Sequence, residues 1–308
     1  MEYSSGFFAT PADTRHADPS EFEMIHNSET GSFCIYKANI AGKLRVFKVL
    51  KPEFRGVPLH EDLLKKEFDI GSKLDHPNIR QYIAYHHLDG LGNAIEMEWV
   101  DGMKLSEYKP ADCKKARYIL CELCDALSYI HGKQIIHRDI KPSNILVTHN
   151  GGNVKLIDFG FADADWYALL KTPAGTLQHA SPEQIAGDRI DCRSDIYSLG
   201  TVIAAVLPRN GGVARRCMQK DREKRFASAA EVKEALCRKH RWPIFVVITA
   251  IAAAAAILMP TLKQGSNAAE TVADSIYFSM PQDSTDLGIE DVFEQATQLI
   301  LEASSGDD

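Results

Sequence analysis

Apolar and polar residues alternate in two short runs near the N-terminus, CIYKA and LRVFKVLK, in the stretch that begins at Phe33. Alternation with period two predicts β-strands, and the turn residues Ala41-Gly42-Lys43 between the runs predict a hairpin. Residues 61–74 have helical spacing and precede the stop signal His76-Pro77-Asn78. Further strands are predicted after this stop, through Ile95 to Val100, so the first part of the chain is mostly sheet with one helix.

The pattern changes after residue 110. A long amphipathic helix is predicted from Ala111 to His131, followed by loops and short strands up to Asp158 and by helices from Ser194 onward. The chain has no internal repeat and no low-complexity tract. A mainly helical part therefore follows the sheet-rich part.

A third pattern is an apolar run near the C-terminus. Residues 242–262 include no charged side chain, whereas Arg238, Lys239 and Arg241 precede the run and Lys263 follows it. A helix of this length crosses about 30 Å of hydrocarbon. The basic cluster predicts a single-pass membrane helix at 242–262, with the preceding residues in the cytoplasm. A buried alanine-rich core helix is the alternative interpretation.

These patterns predict four regions: a flexible segment at 1–20, a folded domain at 21–238, the membrane helix, and a short acidic extracytoplasmic tail at 263–308. We expect no cleavable signal peptide, because the first residues are acidic and polar. The tail has helical spacing from Ile289 to Ile300. A solvated stub and a dimerising or ligand-sensing element both remain open for it.

Composition narrows the class of protein. The formal net charge is -7, and no block of Lys and Arg with interleaved aromatic residues occurs, which argues against a nucleic-acid partner. All 7 cysteines precede the apolar run, as expected for a reduced cytosolic domain. Cys121 and Cys124 form a C-x-x-C pair on the predicted helix, and without a second ligand pair we favour buried helix cysteines over a metal or redox site.

Two motifs carry the chemistry: HRDIKPSN at 137–144 and, after a turn at 150–152, KLIDFG at 155–160. Together they resemble the catalytic loop and metal-binding motif of eukaryotic-type (Hanks-type) serine/threonine protein kinases. The resemblance extends from about Phe33 to Arg225. It implies a two-lobed α+β fold, with a small antiparallel β lobe carrying one helix and a larger, mainly helical lobe, to which the predicted transmembrane helix is added.

The resemblance also implies catalytic roles. Asp139 orients the substrate hydroxyl and accepts its proton, and Lys141 neutralises charge on the transferred phosphate. Lys48 holds the α- and β-phosphates of ATP and forms an ion pair with Glu67.

Further matched positions concern the cofactors. Asn144 and Asp158 supply oxygen ligands for Mg²⁺, with Mn²⁺ as a second option. The backbone groups of Glu98 and Val100 bond the adenine of ATP. The apolar residues that sandwich the adenine are Ile35, Val46 and Leu146. Ordinary core packing stays open as an alternative for these apolar residues.

Three anchors agree with the family in order: Glu183, Asp195 at the start of a helix, and Arg225, the family's partner of Glu183. Arg138 implies control by phosphorylation of the activation loop, because a buried guanidinium facing that loop is best satisfied by phosphate. The candidate phosphate acceptors are Thr172 and Thr176.

The sequence departs from the family in three places. The phosphate-covering loop at 27–35 keeps one glycine, which predicts weak nucleotide affinity. Gly71 stands four residues after Glu67, where the family has a large apolar residue that locks the helix, so we expect a loosely held helix and a conditional ion pair. The segment from Gly200 to Arg225 is short, which resembles minimal bacterial kinases.

The leading hypothesis is a membrane-anchored serine/threonine kinase that transfers the γ-phosphate of Mg-ATP to protein hydroxyls. Lys141 and Thr176 are features of serine/threonine rather than tyrosine kinases. The alternative is a pseudokinase that acts as a nucleotide-responsive scaffold, favoured by the altered loop and Gly71. A kinase that phosphorylates small molecules is a third hypothesis. Dimerisation through the membrane helix is a further option, although the run has no GxxxG pattern.

Overall fold

The computed structural model describes residues 22–28, 31–162, 178–208 and 211–238. The predicted segments at 1–20, 242–262 and 263–308 lie outside these ranges. Within them, no helix is both long enough and apolar enough to cross a membrane. Apart from Arg238, the described residues belong to one structural unit that ends at Cys237.

Five antiparallel strands form the sheet of the first lobe, in the order β1-β2-β3-β5-β4. They are β1 (Glu23–Asn27), β2 (Phe33–Ile40), β3 (Lys43–Leu50), β4 (Tyr82–Leu88) and β5 (Gly92–Glu98). Between β2 and β3, Ala41 and Gly42 have φ angles of 50° and 80°. Two consecutive positive φ angles make the tight turn whose twist matches that of the paired strands. The predicted hairpin is confirmed.

The two faces of this sheet bury different residues. Phe47 and Val49 pack in a small cluster on one face, whereas Val46 belongs to the main core, which continues into the second lobe. Because successive side chains of a strand point to opposite faces, Lys48 shares the face of Val46. Strand alternation therefore places Lys48 on the side of the sheet that meets the second lobe.

One helix, α1 (Pro58–Gly71), packs on the sheet of the first lobe. It begins three residues before the predicted start at 61, because Pro58 has a backbone angle that suits the first helical turn. Leu64, Glu67 and Gly71 are its buried residues and lie on one face. The face that α1 turns to the sheet thus carries a carboxylate and a glycine.

The second lobe has a three-stranded sheet and five helices among the described residues. Its elements are β6 (Gly102–Lys104), α2 (Cys113–Gly132), β7 (Ile145–Thr148), β8 (Val154–Leu156), α3 (Pro182–Ala186), α4 (Cys192–Val206), α5 (Gly211–Cys217) and α6 (Ala229–Cys237). Helix α2 begins where the side chain of Asp112 accepts a hydrogen bond from the backbone N–H of Lys115 at 2.6 Å. Its observed range agrees closely with the predicted 111–131.

Helices α4 and α5 approach each other closely at Gly200. A Cβ atom at this position would lie 2.5 Å from the Cβ of Cys217, so only glycine fits here. Helix α4 ends at Val206, and α5 is described from Gly211. The predicted shortening after Gly200 stays a prediction.

The cysteines of α2 have different surroundings. Cys124 is completely buried in the core, as predicted. Cys121 is partly exposed, and its Sγ atom is 3.0 Å from the Sγ atom of Cys237 on α6. Cys121 and Cys237 are both free cysteines, without a disulfide bond.

Candidate active site

Asp139 lies in the loop between α2 and β7, where two side chains hold one of its carboxylate oxygens. Its Oδ2 atom is 2.8 Å from the Nζ atom of Lys141 and accepts a hydrogen bond from Nδ2 of Asn144 at 2.7 Å. Its Oδ1 atom is buried and has no hydrogen-bond partner among the described residues. A buried acceptor without a donor is costly, so this oxygen is suited to receive a proton from a bound hydroxyl.

The protonation of Asp139 suits that task. Burial raises the pKa of Asp139 to about 6, although the Lys141 ammonium and the Asn144 amide oppose the rise. At neutral pH the carboxylate is therefore ionised, yet it is a stronger base than an exposed aspartate. A pKa close to the working pH is favourable for a general base.

The catalytic loop is anchored by Asp195, which is fully buried at the start of α4. Its carboxylate accepts hydrogen bonds at 2.8 Å from the backbone N–H groups of His137 and Arg138 and lies at the same distance from Nε2 of His131. Arg138 has a φ angle of 65°, a conformation that costs of order 1–3 kcal/mol for a residue other than glycine. The bonds to Asp195 offset this cost and fix Asp139, the next residue in the chain.

A second long-range anchor holds the start of α3. The guanidinium of Arg225 makes two hydrogen bonds to the carboxylate of Glu183, at 2.6 and 2.8 Å. Ser194 on α4 also donates to Glu183, at 2.7 Å. The pair that the resemblance implied is thus present, and so is the anchoring role of Asp195.

Lys48 joins two carboxylates from different parts of the chain. Its Nζ atom is 2.7 Å from Oε2 of Glu67 on α1 and 2.9 Å from Oδ1 of Asp158, which follows β8. Burial alone would lower the pKa of Lys48, but Asp158 and Glu67 outweigh it and raise the pKa above its usual value. Lys48 therefore stays cationic in a buried position, as a phosphate-binding lysine must.

Asn144 and Asp158 fit the requirements of a magnesium site. Magnesium prefers oxygen ligands and takes one or two from the protein while phosphates and waters supply the rest. Lys48 holds the pKa of Asp158 at about 2 against the effect of burial, so this ligand is ionised. Nδ2 of Asn144 donates to Asp139, which leaves its Oδ1 atom for a metal ion. No cluster of three His, Cys, Asp or Glu side chains suited to a metal occurs in the described ranges.

The residues proposed to bind adenine lie at the junction of the two lobes. Val46 and Leu146 are buried and Ile35 is partly buried. The side chain of Glu98 is tied back to Lys155 at 2.7 Å and to the backbone N–H of Gln81 at 2.9 Å. These bonds hold the segment from Glu98 to Val100 in place across the junction. Val46 belongs to the main core, so this residue does have the core-packing role that was left open as the alternative.

The altered phosphate-covering loop brings an aromatic ring to the phosphate site. Aligning Ile35 with the valine of the family pattern G-x-G-x-x-G-x-V puts Phe33 in place of the third glycine. The ring centroid of Phe33 lies 4.1 Å from the Nζ atom of Lys48. A cation and an aromatic face at this distance attract each other, so the ring competes with a phosphate for the lysine. The structure thus supplies a second reason, beside the missing glycines, for weak nucleotide binding.

Tyr82 changes the interpretation of Gly71. A loose helix was expected because Gly71 lacks the large apolar side chain of the family, but the ring of Tyr82 occupies the space beside it: a Cβ atom on Gly71 would lie 2.5 Å from Cγ of that ring. The Lys48–Glu67 pair is formed. Tyr82 is not among the residues predicted from the sequence, and no local signal in the sequence pairs it with Gly71.

The proposed regulatory residues are only partly described. Thr172 and Thr176 lie outside the described ranges. Arg138 is almost fully buried, and its carbonyl oxygen accepts a hydrogen bond from Nε2 of Gln184 at 2.8 Å. Phosphorylation at either threonine stays a prediction.

Comparison with known proteins gives the family. Residues 29–242 match the family described as protein kinase domain. The chain is 39% identical over 150 residues to the serine/threonine-protein kinase PrkC of Bacillus subtilis. The aligned region covers 46% of this chain and 23% of PrkC. It is 36% identical over 173 residues to PknB of Mycobacterium leprae, covering 52% of this chain and 27% of PknB. The chain thus spans about a quarter of the length of these curated relatives.

Solved structures agree on the fold. The kinase domain of Mycobacterium tuberculosis PknI superimposes with a TM-score of 0.54 at 23% identity, covering 70% of this chain and 95% of that one. The chain belongs to the protein kinase family, because the family match extends over more than half of its residues. The predicted two-lobed α+β architecture is confirmed.

Replacing Phe33 by glycine should strengthen nucleotide binding. Removal of the ring frees the Lys48 ammonium and restores close approach of the backbone, so we expect the Kd for Mg-ADP to fall about fivefold, or ~1 kcal/mol. Isothermal titration calorimetry measures the Kd for Mg-ADP. Phe33→Leu is the matched control, since it keeps apolar bulk without an aromatic face. Unchanged or weaker binding by Phe33→Gly would show that the ring does not compete with phosphate.

Proposed function

We propose that this protein is a serine/threonine protein kinase that transfers the γ-phosphate of ATP to hydroxyl groups of proteins. The proposal rests on the assembled active site: Lys48 is bonded to both Glu67 and Asp158, and Asp139 has a buried oxygen with no hydrogen-bond partner in the described part of the chain. Phosphate transfer needs this alignment and positive charge more than covalent help. The names of the matched relatives PrkC and PknB support the serine/threonine class.

The reaction follows from the geometry. The substrate hydroxyl donates its proton to Oδ1 of Asp139 while its oxygen attacks the γ-phosphorus, and the bond from that phosphorus to the bridging oxygen breaks to release ADP. Lys141, beside Asp139, lies where its ammonium can neutralise charge on the transferred group. Asn144 and Asp158 would hold a magnesium ion, which would supply positive charge to the phosphates. Lys48 orients the α- and β-phosphates.

The scaffold alternative has less support than the enzyme. A scaffold does not need a base with a pKa near neutrality, nor a buried lysine held between two carboxylates. Tyr82 also removes one of the two reasons for that alternative, because it fills the space beside Gly71.

We also propose that residues 242–262 anchor the protein in a membrane, with the kinase domain in the cytoplasm and the tail at 263–308 on the other side. The uncharged run and the basic cluster before it support this topology. Protein substrates and a partner copy, if the membrane helices associate, are the partners that this arrangement would bring together.

Asp139→Asn should abolish transfer. Loss of a general base costs about 10²- to 10⁴-fold in rate. The measurement is magnesium-dependent incorporation from labelled ATP by the full chain, into itself and into a generic protein, with analysis of the phosphorylated residue type. Asp125→Asn, which alters an exposed pair with Lys233, is the control and should retain activity.

Two results would contradict the proposed function. Equal background incorporation in both proteins, with nucleotide binding retained, would favour the scaffold. Faster phosphorylation of small metabolites than of any protein would favour the small-molecule kinase.

The activity should have an acid limb set by Asp139. The base works only when ionised, so kcat/KM should fall below pH ~6, to about a tenth of its plateau at pH 5. Lys141→Met should move this limb to higher pH, because the ammonium lowers the pKa of Asp139. Lys233→Met, far from the site, should leave the limb in place. A limb that stays fixed or moves to lower pH in Lys141→Met would exclude Asp139 as the titrating base.

Membrane anchoring can be tested by substitution within the apolar run. A lysine at the centre of a membrane helix costs about 2.5–3.5 kcal/mol. Ile248→Lys combined with Ile251→Lys should therefore move the full chain from the alkali-washed membrane fraction to the supernatant. The pair Ile248→Leu and Ile251→Leu is the control. Persistence of the lysine variant in the membrane would show that 242–262 is not the anchor.

A further inference from the structure

Gly71 and Tyr82 are matched in size across the contact between α1 and β4. Atoms Cγ, Cδ1 and Cδ2 of the tyrosine would lie 2.5–2.6 Å from a Cβ at Gly71, so no side chain fits on the helix while the ring is in place. Tyr82 is only 5% exposed. Its ring also packs edge-on against Phe159, with centroids 6.2 Å apart. The tyrosine thus occupies the volume that a large apolar residue on the helix would otherwise fill.

The hydroxyl of Tyr82 adds two bonds that an apolar residue could not make. It donates to Oε1 of Glu67 at 3.0 Å and accepts from the backbone N–H of Phe159 at 3.3 Å. Oε2 of Glu67 is held by Lys48. Both oxygens of the helix carboxylate are therefore engaged, one by the lysine and one by the tyrosine.

The chemistry of the hydroxyl is consistent with this bridge. Burial raises the pKa of Tyr82 well above its usual value, so the hydroxyl stays protonated and can donate. Burial also raises the pKa of Glu67, whereas Lys48 and the Tyr82 hydroxyl lower it. The bond from the tyrosine thus favours the ionised carboxylate that Lys48 requires.

We infer that Tyr82 is a positioning residue of this active site. Its ring replaces the apolar side chain missing at Gly71, and its hydroxyl ties Glu67 to the backbone of Phe159, the neighbour of Asp158. One side chain thereby couples α1, β4 and the segment 158–160. The inference rests on the proposed kinase function, because the geometry that Tyr82 holds is the geometry of phosphate transfer.

Tyr82→Phe is the primary test, because it removes the hydroxyl and keeps the ring. In the full chain we expect kcat to fall about tenfold or more, since a buried hydrogen bond to a charged group is lost, with the KM for the protein substrate unchanged. Tyr85→Phe is the matched control. Tyr85 lies on the same strand and packs against Phe68 of the same helix. It should retain normal kcat.

The pH profile separates positioning from general packing. The charged groups facing Glu67 are Lys48 on β3, Asp158 after β8 and Arg80 before β4. In Tyr82→Phe the carboxylate loses a donor and its pKa rises, so it protonates and releases Lys48 at a higher pH. A second protonation, added to that of Asp139, should therefore steepen the acid limb of kcat/KM relative to both the unmodified protein and Tyr85→Phe.

A size exchange tests the packing half of the inference. Gly71→Leu alone should collide with the ring, and Tyr82→Leu alone should leave a void, so each should lose most activity. The double variant rebuilds an apolar lock and should recover more activity than either single variant. If the single variants do not fold, Tyr82→Phe still decides, because it leaves the packing intact.

Hydrogen exchange of α1, measured on the same samples, distinguishes failure of this inference from failure of the kinase proposal. Faster exchange of α1 in Tyr82→Phe, in a protein without any transfer activity, would support the positioning and overturn the kinase. Normal kcat, pH profile and exchange in Tyr82→Phe would overturn the positioning and leave the kinase. Increased kcat in Tyr82→Phe would overturn the inference by showing that the tyrosine restrains the site.

Discussion

The structure depends on keeping one lysine charged inside the protein. Lys48 is only 5% exposed, and burial of an ammonium group is tolerated only if carboxylates compensate it. Glu67 comes from the helix of the first lobe and Asp158 from the loop after β8. The requirement to neutralise Lys48 therefore draws three separate segments together. The same requirement suits the site to phosphate binding, because the negative charge of a phosphate and the positive charge of its magnesium ion would join the same balance of charges.

The second lobe meets a comparable requirement with a different charge. Asp195 is completely buried, and two backbone N–H groups and His131 satisfy its carboxylate. Those N–H groups belong to the loop that carries Asp139, so the bonds that stabilise a buried carboxylate also orient the base. Glu183 and Arg225 form a second buried contact between opposite charges, which holds the start of α3. Buried charges thus fix the positions of loops that regular secondary structure does not hold.

Two departures from the family act in opposite directions. Phe33 lies against Lys48 and is expected to hinder the nucleotide. Tyr82 fills the space beside Gly71 and engages Glu67, which holds the helix inward. Gly71 on α1 was expected to loosen the site, but Tyr82 on β4 fills the space beside it. The site is therefore expected to be well organised for transfer but to bind its nucleotide weakly.

The sequence alone determined the local elements and the identity of the charged groups. Alternation predicted the hairpin of β2 and β3, helical spacing predicted α2, and the two motifs supplied Asp139, Asn144 and Asp158, because these signals depend on neighbours along the chain. Tertiary structure decided what those signals leave out. Nothing near Gly71 in the sequence identifies Tyr82 as its packing partner, and nothing near residue 33 indicates that a ring would meet Lys48. Both contacts depend on how distant segments fill a shared volume, which is fixed only when the helix and the strands pack together.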